Sequence, residues 1–101
     1  MTTDLYRYAF DERVRTEDID AALLLAIWCC EALHGETQTR LDAAHYFDRA
    51  KRACVIDAGT PVGRDVNRLF VGFIGREFGS EAFKVERVDA LHNHQPEEVH
   101  A

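Results

Sequence analysis

This sequence predicts a two-layer α+β sandwich, and three observations carry the prediction. Two long stretches, at about residues 17–34 and 60–78, repeat apolar residues at helical spacing between clear start and stop signals. Shorter stretches at residues 5–10, 37–47, 52–58 and 81–88 are strand-like. The chain has 101 residues and 47% hydrophobic content, enough for one core and too little for two. Each half reads strand–helix–strand, and right-handed crossovers in both halves give a four-stranded antiparallel sheet with both helices on one face. That βαββαβ arrangement is the ferredoxin-like sandwich. Without the first strand, the fallback is αββαβ around a three-stranded antiparallel sheet.

The first strand, "LYRYAF", puts Tyr6, Tyr8 and Phe10 on one side. Thr16 then suits a helix N-cap, Glu17 and Asp18 supply first-turn acid, and Gly35 supplies the stop. This first helix is apolar nearly all round. Ile19, Leu23, Ile27 and Cys30 form one stripe, Leu24 and Trp28 a second, and Leu25 and Cys29 a third. A surface helix needs one such stripe, so either the sheet curls round this helix or a second subunit packs on it. His34 in its last turn suits the helix dipole. Residues 37–47 and 52–58 form a hairpin about a polar turn at residues 48–51. The second helix starts at Thr60 with Pro61 in its first position and stops at Gly79. Phe83 and Val85 share one side of the last strand. A single domain is thus expected over residues 1–90, with a disordered polar tail at 91–101.

Eighteen acidic against twelve basic residues give a net charge of -6, which argues against nucleic acid as a partner. The longest apolar run, residues 21–30, is about half of the roughly 20 residues a membrane span needs. The N-terminus has neither the basic nor the apolar region of a secretion signal. Three cysteines, an odd number in apolar surroundings, fit reduced thiols better than a disulfide framework. A cytoplasmic location is the expectation, with no membrane association.

A hairpin turn centred on Arg49-Ala50 would pair Leu41 with Ala58, Ala43 with Ile56 and His45 with Cys54 on the core side. The other side would pair Ala44 with Val55, Tyr46 with Ala53 and Asp42 with Asp57. Two carboxylates opposed across a ladder repel. Solvation or a neighbouring Arg7 or Arg40 could offset this; alternatively, Asp42 and Asp57 could bind a cation or divide acid and base roles. They are the candidate catalytic residues. On the same side, Ala44, Tyr46 and Val55 leave a surface short of charge that a homodimer or a ligand would cover. In the second helix Gly72, Gly75 and Gly79 fall opposite the core, with Arg64, Arg68 and Arg76. Glycine there costs helix stability, which points to a close helix or subunit contact, or to a groove for an anion. Thr60, Arg64 and Arg68 are the candidate ligand-binding residues. Trp28, Ala44, Tyr46, Val55, Gly72 and Gly75 are the candidate interface.

Other chemistry is weaker. His92, His94 and His100 sit in the polar tail, where nothing fixes metal geometry. His45 and Cys54 lack a third orienting residue, and "GTPVGR" lacks the spacing and lysine of a phosphate loop. Pro61 also removes one amide donor from the helix start. No metal or cofactor is expected. The strand, Asp57, Gly59-Thr60, helix passage resembles, over about 30 residues, the sulfate-transporter and anti-sigma-factor-antagonist domain, whose hydroxyl residue at a helix start is phosphorylated. The order of elements elsewhere departs from that fold, and no residue role carries over. The functional expectation is a small self-associating binding or interaction module, acting as a homodimer or with a protein partner. The alternative is a small enzyme, or an anion- or metal-binding protein, with its site around Asp57.

Overall fold

The computed structural model describes residues 4–88. Its elements are β1 (Leu5–Phe10), α1 (Thr16–His34), α2 (Glu36–Asp42), β2 (Ala44–Asp48), β3 (Ala53–Asp57), α3 (Pro61–Phe78) and β4 (Phe83–Val88), with a 3-10 turn at Ser80–Ala82 before β4. The four strands form one antiparallel sheet in the order β2-β3-β1-β4. The strands of each half are interleaved with those of the other: β3 lies between β1 and β2, and β1 between β3 and β4. This split βαβ arrangement is a two-layer α+β sandwich, as the element order predicts. It departs from the plainest form in the added helix α2.

Alternation places Tyr6, Tyr8 and Phe10 of β1, Cys54 and Ile56 of β3, and Phe83 of β4 on the helix-facing side of the sheet. Ile19, Leu23, Ala26 and Cys30 of α1 and Val62, Val66, Phe70 and Ile74 of α3 close the core against them. Tyr8 and Phe70 meet edge-to-face with ring centroids 5.0 Å apart, the geometry the ring quadrupoles favour. The buried Tyr8 hydroxyl donates to Asn67 Oδ1 at 2.5 Å, so α3 also satisfies the one polar group in this cluster.

Three sequence expectations are corrected. Residues 36–42 are helical, and the second strand begins only at Ala44. Local pairs four residues apart hold this turn: Arg40 donates to Glu36 and Gln38 to Asp42, each at 2.6 Å. Thr16 is the first residue of α1 and not its cap; Arg15 stands at the cap position and makes no side-chain cap bond. The hairpin turn is centred one residue further along than the expected Arg49-Ala50, which moves each cross-strand partner by two positions. Ala44 therefore faces Asp57, His45 faces Ile56, Tyr46 faces Val55 and Phe47 faces Cys54. The left-handed conformation of Arg52 (φ 53°) and the Asp48 carboxylate, which accepts from the Lys51 amide, set this turn. Each strand keeps its expected face because the partner moves by two positions, not one.

Candidate functional site

The β3–α3 junction is built as a helix start. Asp57 Oδ1 accepts the Gly59 amide at 2.9 Å, an Asx turn that closes the loop. Thr60 caps α3 by accepting the Gly63 amide at 2.9 Å, and its hydroxyl donates to the Asp42 carbonyl at 3.2 Å. A Cβ on Gly63 would run into the Asp57 carbonyl oxygen, which is why this tight passage needs glycine. Asp42 ends α2 and faces Gln38, so the expected cross-strand pairing with Asp57 is overturned: Asp57 faces Ala44. The insertion of α2 took Asp42 out of the ladder. Arg40 and Arg7 pair elsewhere, with Glu36 and Glu86. The junction thus brings Asp42, Asp57 and Thr60 close in the fold through backbone-directed bonds that complete the turn.

His45 and Cys54 do not pair across the ladder, as they were expected to. Burial pushes the Cys54 thiol up to about 12, which keeps it protonated and unreactive. His45 is exposed at its residue level, and desolvation of its ring in a groove beside α1 lowers its pKa. The His34 ring hydrogen-bonds Asp65 Oδ2 through Nε2 at 2.8 Å, tying the end of α1 to the first turns of α3. All three cysteines are free, with Cys30 and Cys54 buried. His92, His94 and His100 lie outside the described residues. Among the described residues no cluster of three metal-ligating side chains occurs, and no helix is long and apolar enough to cross a membrane.

The residues read as an interface divide between three surfaces. Ala44, Tyr46 and Val55 lie on the uncovered back of the sheet, but so do Arg7, Asp48, Asp57, Lys84 and Glu86. This mixture is that of a solvent-facing sheet side. Gly72 and Gly75 lie on the outer face of α3, where an added Cβ would meet nothing. Arg64 and Arg68 are exposed on α3 and make no ion pair among the described residues.

The third surface is the outer face of α1. The core takes Ile19, Ala22, Leu23, Ala26 and Cys30, which leaves Ala21, Leu24, Leu25 and Trp28 on the opposite side. Trp28 is 58% exposed, Leu24 46% and Leu25 45%. No charged side chain interrupts these four positions. Grooves flank them. One, of about 330 Å³, runs between α1 and α3 and is lined by Ala21, Ala22, Leu25, Phe73, Arg76 and Glu77. The other, of about 420 Å³, lies towards β2 and includes Leu24, Ile27 and His45. Of this surface, sequence reasoning found Trp28 and the apolar stripes of α1. It missed Ala21, Phe73 and the grooves, which depend on how far apart the helices pack.

No protein-family model, curated protein or solved structure matches the chain.

Proposed function

We propose that the protein is a self-associating interaction module whose homodimer forms through the outer face of α1. The observation that carries this reading is the uncovered apolar stripe Ala21, Leu24, Leu25 and Trp28. The sheet covers only one side of a helix whose sequence is apolar nearly all round, so the second subunit is the remaining way to cover the other. An exposed indole is costly to leave in water, since an aromatic side chain can bury roughly 150–250 Å², and such residues are the usual anchors of interfaces.

The stripe suits a second copy of itself. Small Ala21 and large Trp28 stand at equal distances in sequence from the midpoint between Leu24 and Leu25. A two-fold axis through that midpoint sets each Trp28 over the partner's Ala21 and each Leu24 against the partner's Leu25, large against small. The free thiols and their odd number support a cytoplasmic setting for this module. Light scattering over a dilution series tests the reading. A mass that falls from dimer to monomer on dilution is expected, and a monomer at every concentration would refute it.

A further inference from the structure

The stripe on α1 is too small to hold a dimer by itself. Trp28, Leu24 and Leu25 have about half of their surface left to bury. An aromatic side chain buries roughly 150–250 Å² in full, so even at the upper figure four such positions offer about 500 Å² per copy. A stable interface takes roughly 800 Å² from each partner. Charge on α1 does not make up the difference. The two-fold axis between Leu24 and Leu25 that sets Trp28 over the partner's Ala21 also sets Asp18 towards the partner's Glu31, and two carboxylates repel. The remaining area and attraction must come from a surface beside the stripe.

Two grooves flank the stripe, and Ala21 lines both. The groove towards β2 adds Glu17, Asp20 and His45 to its apolar residues. Arg49, which pairs with Asp20, already lies over the Phe47 ring. The groove between α1 and α3 offers instead the Phe73 ring and the exposed Arg76 and Glu77. Arg76 makes no ion pair among the described residues. These are the groups an indole uses: a ring to pack against, a cation for its negative face and an acceptor for its N–H. At about 330 Å³ the groove falls in the range of pockets that hold small ring systems, roughly 300 Å³ and upward. Resting on the self-association proposed above, we infer that the Trp28 indole of each copy enters the α1–α3 groove of the other, between Ala21 and Phe73, with Arg76 over its face and Glu77 accepting from its N–H. This carries the contact onto α3, where Gly72 and Gly75 leave the outer face low enough for a second copy to approach.

Exchanging the two groove charges tests this with α1 and the net charge left unchanged. In R76E/E77K an anion replaces the cation at the indole face and a cation replaces the acceptor of its N–H. That homodimer should weaken by about tenfold or more, and so should the Trp28→Ala homodimer. Mixed one to one, the two chains regain one native contact, because Trp28 of R76E/E77K meets the intact groove of Trp28→Ala. The mixture should therefore dimerise more tightly than either chain alone. All three substituted positions are exposed, and circular dichroism melts establish that each variant folds. Sedimentation of each chain and of the mixture reads the outcome at a concentration where the wild type is a dimer. Weakened homodimers and a tighter mixture support the groove contact. An R76E/E77K chain that dimerises as the wild type does, or a mixture no tighter than the tighter homodimer, overturns it while self-association through α1 stands. A wild type that is monomeric throughout removes both readings together.

Discussion

Thr60 and Gly63 account for why the β3–α3 passage looks like a site in sequence and acts as a scaffold in the fold. Replacing Thr60 with Ala removes the cap of α3 and the bond to the Asp42 carbonyl, and should cost about 1–2 kcal/mol in urea denaturation. Gly63→Ala should cost more, about 1–3 kcal/mol or above, because the clash is with backbone that cannot rotate away. Thr39 gives the opposite case. It is fully buried in α2, and its hydroxyl finds no partner among the described residues. Thr39→Val keeps the shape and removes an unpaired polar group, so stability should hold or rise by up to about 1 kcal/mol. Burial holds the Cys54 thiol up to about 12 and raises the Tyr8 phenol above its ordinary value. Both groups bind protons more tightly folded than unfolded. Their contribution is therefore complete below about pH 9 and declines as pH rises through the folded values. Thermal melts between neutral pH and pH 11 should show that fall.

Elements differed in how much of them the sequence disclosed. The two long helices were legible to within a residue, since Gly35 and Gly79 end them and Thr60-Pro61 starts α3. The strand β1 was legible from three aromatics at alternate positions. Residues 36–42 were not, because Thr37 and Thr39 suit a strand, whereas the deciding forces are two side-chain pairs four residues apart and the burial of Thr39. The lost element carried Asp42 with it, and with Asp42 the apparent carboxylate pair. Gly35 joins α1 to α2 with φ 91°, a conformation unfavourable to any residue with a side chain. Gly35→Ala should therefore destabilise the fold by about 1–3 kcal/mol, although an added methyl would meet open space. Denaturant titration measures it, and an unchanged midpoint would mean that the α1–α2 corner tolerates a side chain.

At the scale of the whole molecule, two layers satisfy one side of each helix and one side of the sheet. The sheet back meets water with charges interspersed among Ala44, Tyr46 and Val55, so nothing in its composition requires a cover. On the outer side of α1 the successive positions Ala21, Leu24, Leu25 and Trp28 carry no charge. The sequence disclosed that α1 is apolar on several sides, but which side the sheet would take follows from packing that no single stripe specifies. Trp28 is the only tryptophan in the chain, so its emission reports on this one surface. The most direct measurement joins that signal to mass: fluorescence and sedimentation of the wild type and Trp28→Ala over the same dilution series. The account predicts that the wild type passes from twice the chain mass of 11.5 kDa to that mass as its emission shifts to the red. Trp28→Ala should lose about 2 kcal/mol or more of association while melting as the wild type does. A wild type of monomer mass throughout, with emission independent of concentration, would contradict it.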